Sequence, residues 1–355
     1  MKLSAILPTS WSLLLCLLVY STCNGQGPGA LAKQAPAKGV NTVFEGSQIA
    51  DYVRNLLQDE NGQLWMGTNG YGLAHYNGDS LLYFSLAEGF GGQQITGMTT
   101  DRLGNLWFAT DQGVVKYHWS DDPEADKQFT NFSRQSYFRD EHCWSIMADS
   151  KGIIWVGTSS GIFRFNGINW MPFGLPYPEE EQGDFITRTT TWSIIEDRAA
   201  NIWLSTNGHG LFKYDGQSFS QYTEEDGLTD NRVDVILEDR QGKIWIGTRY
   251  GGLSRFDGEH FVNFNQSSGH LGNDEVCAVF EDSQGNIWCS SEGFGVYRFD
   301  GNSFTNFSEE QGLGVRAVQT ILEDQQGRIW AGGGGGLYRL ENDTFIAISK
   351  DGPWE

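Results

Sequence analysis

Seven times along the chain a tryptophan follows an aspartate by six residues: Asp59 and Trp65, Asp101 and Trp107, Asp149 and Trp155, Asp197 and Trp203, Asp239 and Trp245, Asp282 and Trp288, Asp324 and Trp330. The intervals between the tryptophans are 42, 48, 48, 42, 43 and 42 residues. Self-similarity at a period near forty marks repeat architectures, in which each unit buries its apolar face against the next. Three residues before each tryptophan stands Gly62, Gly104, Gly152, Gly242, Gly285 or Gly327, except in the fourth unit, where Ala200 takes the place. A turn that suits glycine at positive φ strains alanine, so the fourth turn is expected to be strained or differently shaped.

The fifth unit shows what each repeat folds into. Val233 to Glu238 is short, apolar and β-branched, which reads as a buried strand. Asp239-Arg240-Gln241-Gly242 is a turn, because Asp bonds its own backbone and Gly takes positive φ. A second strand follows around Trp245, Gly251-Gly252 breaks the chain, and Asp257-Gly258 joins Leu253–Phe256 to His260–Phe264 as a hairpin. Four strands per unit and seven units predict an all-β fold, a seven-bladed β-propeller of four-stranded antiparallel blades. The seven tryptophans are then structural wedges between blades. Thr42-Val43-Phe44 and Phe345–Ile348 both resemble the outermost strand of a blade, and only one is needed; the N-terminal segment is expected to join or cap the last blade.

Two departures from the period are insertions. The segment between Tyr117 and Phe129 lengthens a hairpin of blade two, and the one around Pro176–Glu181 lengthens the link from blade three to blade four. The second lies on the face shared by the blade-to-blade links and the loops after each repeated tryptophan, here called the upper face.

Residues 1–23 read as an export signal, with Lys2 as the positive end and a leucine-rich core from Trp11 to Tyr20. That core is short for a membrane span. Residues 24–40, rich in Gly, Ala, Pro and Gln, read as a flexible linker, and 41–355 as the propeller. Cys23 resembles a lipoprotein cleavage site; lipidation there and plain cleavage nearby both stay open, and either puts the propeller outside the cytoplasm. A lipid on Cys23 is the only membrane attachment expected. A net charge of −21 argues against nucleic acid and anionic membranes as partners, since both are bound through Lys and Arg. Cys143, Cys277 and Cys289 have no framework or metal-ligand spacing. Cys277 and Cys289 lie on neighbouring strands and are read as small buried residues rather than a pair.

The pattern (I/V)(L/I)ED-x-x-G-x-(I/L)W-(I/V)GT-x-x-GGL-x-RFDG resembles the propeller repeat of two-component regulators, over residues 42 to about 350, with blades one, four, five, six and seven most alike and blades two and three looser. The resemblance implies an extracytoplasmic sensor domain. No kinase follows the seventh blade in this sequence, so either signalling passes through a separate membrane protein or the chain is a shortened relative of the sensors. The tryptophan is never followed by Asp, unlike WD40 repeats, and the Asp turn has one residue more than the sialidase Asp-box.

Positions alike in all blades serve the ring; positions that differ are free for function. Thirteen residues before each tryptophan stand Tyr52, Gln94, His142, Thr190, Arg232, Glu275 and Ala317, and eleven before it Arg54, Thr96, Trp144, Trp192, Asp234, Cys277 and Gln319. The loops after the tryptophan carry Tyr71, Asn207, His209, Arg249, Tyr250, Glu292 and Phe294. Rings, Arg and carboxylates together suit a small polar ligand, an oligosaccharide or a peptide. The residues expected to bind it are Arg54, His142, Trp144, Trp192, His209, Arg232, Tyr250 and Glu275. No catalytic residue, metal ligand or cofactor is assigned. Two alternatives remain: a protein-interaction scaffold, and a metal-dependent lyase resembling streptogramin lyases, using His142, His209, His270 and Glu275.

Overall fold

The computed structural model describes residues 46–118, 129–139, 141–176, 187–315 and 317–354. Residues 1–23 and 24–40, Thr42–Phe44 and most of both insertions lie outside the described residues, and with them the expectations placed there. The described residues form seven four-stranded antiparallel sheets, each a meander of consecutive strands, spanning 53–84, 95–133, 143–173, 194–222, 233–264, 279–307 and 318–348. The first strands of consecutive sheets touch one another all the way round, including that of blade seven against that of blade one, so the sheets close a ring around a channel. A single helical turn, Arg134–Tyr137, interrupts the link from blade two to blade three.

Each tryptophan strand is buried along its whole length, as in Ile244–Thr248, because both faces of the sheet meet a neighbouring blade. Such strands read as continuous apolar runs rather than as alternation. The repeated aspartate explains how an indole N–H is tolerated there. In blade five, Asp239 Oδ1 accepts the N–H groups of Gln241 and Lys243, both at 2.9 Å, and Oδ2 accepts Trp245 Nε1 at 2.8 Å. All seven tryptophans donate to their own aspartate, at 2.7–2.9 Å. One carboxylate thus closes the lower turn and satisfies a buried donor. Gly242 in this turn has φ 81°, and Ala200 of blade four is forced to φ 63°, which bears out the expected strain.

The structure adds two periodic features. A cation lies over each tryptophan ring from the third strand, Lys116, Arg164, Lys213, Arg255, Arg298 and Arg339, at 5.0–5.6 Å. In blade one His75 takes that place, stacked at 3.7 Å on Trp65. Burial lowers its pKa to about 4, so it packs as a neutral ring. The glutamate before each aspartate reaches the turn of the preceding blade: Glu238 accepts Arg198 N–H at 2.9 Å and Glu281 accepts Arg240 N–H at 2.8 Å. Glu196 and Glu323 do the same with Ser150 and Ser283. Gln58 accepts Gln325 N–H at 2.7 Å and so joins the last blade to the first. Thr100 and Ala148 occupy this position in blades two and three and cannot reach across.

Blade seven is complete without a borrowed strand, since Thr344–Ile348 is its own outermost strand. The seam is fastened by the segment after it. Lys350 N–H donates to Ser47 at 2.8 Å, Trp354 stacks on Tyr76 of blade one at 4.2 Å, and Arg328 of blade seven donates to Trp354 O at 3.2 Å.

Candidate functional site at the upper mouth of the channel

The innermost strands do not pair in simple register. In blade one Val53 pairs with Thr68 and Asn55 with Gly67, leaving Arg54 as the extra residue of a β-bulge. The same shift falls at Thr96, Trp144, Asp234 and Gln319. A bulge releases one residue from the ladder and re-aims its side chain. In blades four and six a different device acts at the same place. Ser205 and Ser290 replace the glycine found two residues after the tryptophan in blades one, three, five and seven. Ser205 Oγ accepts the N–H groups of Trp192 and Ser193 at 3.0 and 2.8 Å, and Ser290 Oγ those of Cys277 and Ala278 at 2.9 Å. Strand pairing then begins only at Ile194 and Val279. All seven of these positions are therefore out of the ladder at the mouth of the channel, and all seven carry different side chains except for Trp144 and Trp192.

Eight of the bulge, rim and loop residues form one network. Arg54 lies 5.8 Å over the Trp144 ring, from blade one to blade three. Trp144 meets Trp192 at 4.6 Å and 52°, and its Nε1 donates to Ser159 Oγ at 3.0 Å. Arg249 lies 5.2 Å over Trp192 and grips Asp234 through Nη2 at 2.8 Å and Nε at 3.2 Å. The carboxylates of Asp234 and Glu275 and the sulfur of Cys277 lie within 4.8 Å of one another. His142 stacks on Trp144 at 4.0 Å.

Burial governs the charges of this network. It holds the pKa of His142 down to about 4, with Arg54 and Arg134 acting in the same sense and Asp111 against them. It works against the charge of Arg249, and the adjoining Asp234 more than offsets it, so that guanidinium stays charged. Glu275 is pushed up to about 8, first by burial and then by the carboxylates of Glu292 and Asp234, with Arg249 opposing. Glu275 is thus largely protonated at neutral pH.

Of the eight expected residues, Arg54, His142, Trp144, Trp192 and Glu275 lie in or beside this buried network. Arg232 and Tyr250 form a separate, exposed pair on the rim of blade five, 5.2 Å apart. His209 stands farther out; its carbonyl accepts Gln221 of the outermost strand at 2.8 Å. Arg249, Asp234 and Glu292 were visible as variable positions but lie outside the eight expected residues; Arg249 and Asp234 couple within blade five, and Glu292 lies beside Glu275 in blade six. The histidines of the lyase alternative do not gather: His270 bonds Ser268 Oγ at 2.7 Å and packs on Phe264 and Phe304 of outermost strands. Among the described residues the metal-capable group of Asp234, Glu275 and Cys277 contains no histidine. Asp234 is committed to Arg249 and the group holds no histidine, so the donor set does not fit a metal centre. Cys143 and Cys289 are free and buried, so Cys277 and Cys289 are not joined to each other.

A family model for the two-component regulator propeller matches residues 47–70, 137–160, 227–250, 270–293 and 312–335. These fall on blades one, three, five, six and seven. The expected ranking of blades is corrected at two points: blade three is matched and blade four is not. Blade four has Ala200 and Ser205 where matched blades keep glycine in the lower turn and, in most, after the tryptophan. No curated protein matches the chain. Among solved structures, the extracellular domain of the hybrid two component system BT3049 from B. thetaiotaomicron is similar at TM-score 0.66 and 20% identity, covering 86% of this chain and 40% of that one. This chain thus spans well under half of that domain. A streptogramin B lyase is similar at TM-score 0.66 and 14% identity, covering 84% and 95%. A virginiamycin B lyase from Staphylococcus aureus is similar at 0.64 and 12%, covering 81% and 93%. At such identities the likeness concerns the fold. The chain is a seven-bladed β-propeller, five of whose seven repeats match the two-component regulator propeller.

Proposed function

We propose that this chain is an extracytoplasmic, non-catalytic sensor or ligand-binding propeller that takes a small polar ligand, an oligosaccharide or a peptide, on its upper face. The observation that carries the reading is the contrast within each blade. The lower turn repeats its Asp–Trp bond seven times, while the bulge position of the same blade carries Arg, Thr, Trp, Trp, Asp, Cys or Gln. Divergence confined to one end of an otherwise periodic ring is what a grafted site looks like. The repeat family and the likeness to an extracellular two-component domain support the sensor role, and the leader-like residues 1–23 support export. A thermal-shift screen against oligosaccharides and short peptides tests the reading: a ligand raises the melting temperature, and substitutions on the upper face remove the rise. No shift from either class counts against it.

A scaffold role has one observation in its favour. Leu103 and Ile168, 84% and 81% exposed, stand in lower turns of the adjacent blades two and three. Pull-down with and without Leu103→Ser and Ile168→Ser separates the two readings.

A further inference from the structure

The rim of blade five holds a guanidinium that the fold keeps in place without using its hydrogen-bonding capacity. Arg232 lies just before the inner strand, its side chain 49% exposed, over the ring of Tyr250, itself 53% exposed. Its guanidinium stands 3.5 Å from Asp230 and donates no hydrogen bond to another described residue. Both members of the pair are positioned by that one buried carboxylate: Asp230 accepts Arg232 N–H at 3.0 Å and Tyr250 N–H at 2.9 Å. Asn207 bridges the Arg232 backbone, which brings the loop of His209 alongside.

An arginine stacked on a ring and anchored by a carboxylate has lost rotamer freedom before any ligand arrives, so binding costs less ordering entropy. Its planar fork suits a carboxylate held through two N–H groups. With a net charge of −21 the protein repels anions at long range, so an anion must be recognised by a local, pre-oriented group of this kind. We infer that Arg232, stacked on Tyr250 and anchored by Asp230, is the carboxylate-receiving fork of the upper-face site. The inference rests on the upper-face reading above and narrows it. The ligand carries an acid group, as in a uronic acid sugar or the free C-terminus of a short peptide, and its body lies against the exposed part of Tyr250.

Matched pairs test it: glucuronate-containing oligosaccharides against their glucose counterparts, and short peptides against their C-terminal amides. Each is titrated calorimetrically into the wild type, Arg232→Gln and Arg232→Lys, whose ligand-free melting temperatures report intact folding. The acid member of one pair is expected to bind, and its neutral twin more weakly by about 10-fold or more. Arg232→Gln should erase that preference and Arg232→Lys retain part of it, with the charge kept but the fork lost. Which pair responds identifies the source of the carboxylate. Neutral members binding as well as acids, or acids binding Arg232→Gln undiminished, overturns this inference and leaves the upper-face reading standing. No binding by any member at millimolar concentration overturns both.

Discussion

The lower turns and the upper bulges of this propeller are built on the same strands, yet they follow opposite rules. At the lower end one aspartate does the same three things in every blade, and a cation or a neutral histidine covers every tryptophan. At the upper end two devices, a bulge and a serine that accepts two N–H groups, release the same position, and the blades fill it with six different residue types. The comparison teaches that the ring is held by repetition at one end, which leaves the other end free to differ without opening the fold.

The largest effects should come from the repeated end. Trp245→Ala removes a buried indole and strands Asp239 Oδ2, and a loss of about 3–5 kcal/mol is expected in denaturant unfolding. Trp155→Ala and Trp288→Ala should cost about the same. Trp192→Ala, at the half-buried mouth, should cost clearly less; equal losses at both ends would break the comparison.

Arg249→Ala is the exception expected at the mouth. It leaves Asp234 buried and uncompensated, at a cost of about 3 kcal/mol. The double substitution Arg249→Met with Asp234→Leu should recover most of that loss. A single variant no worse than the double would show that the pair is not the source of the effect.

Burial of the titrating groups also sets how stability responds to pH. Glu275, with a folded pKa near 8 against a carboxylate's ordinary 4.5, binds its proton more tightly folded than unfolded. Its contribution is full at low pH and fades as pH rises from about 4.5 to 8. His75 and His142, near 4 when folded, act in the other direction: the unfolded chain gains protons first, so stability falls as pH drops from about 6.5 to 4. Melting temperature should peak where the two windows overlap, between about pH 4.5 and 6.5, and Glu275→Gln should flatten the decline above the peak. A profile unchanged by Glu275→Gln would remove Glu275 from the account.

The smallest effects complete the repeat. Ala200→Gly relieves a positive φ and should add up to about 1 kcal/mol. Thr100→Glu gives blade two the cross-blade acceptor it lacks and should add about 0.5–1 kcal/mol, seen as a small rise in the denaturant midpoint.

Much of this was legible in the residues themselves. The period, the four strands, the wedge role of the tryptophans and the strain at Ala200 follow from local rules, because turn chemistry and strand propensity act within a few residues and repeat seven times. The resemblance to regulator propellers rested on the same residues, although the balance of glycine and serine in blade four misled the ranking. The upper mouth was legible only as a set of positions. That Trp144 meets Arg54 and Trp192, or that Arg249 lies over Trp192, follows from which blades face each other across the channel. No spacing along the chain encodes that.

The sequence alone therefore determined the fold class, the number of blades and where variation is permitted, since each rests on short-range geometry repeated at a fixed period. Tertiary structure alone decided which variable residues join, dividing eight expected residues into five in a buried network, the exposed pair of Arg232 and Tyr250, and His209 outside both. Contacts between strands forty to two hundred residues apart exist only once the ring is closed.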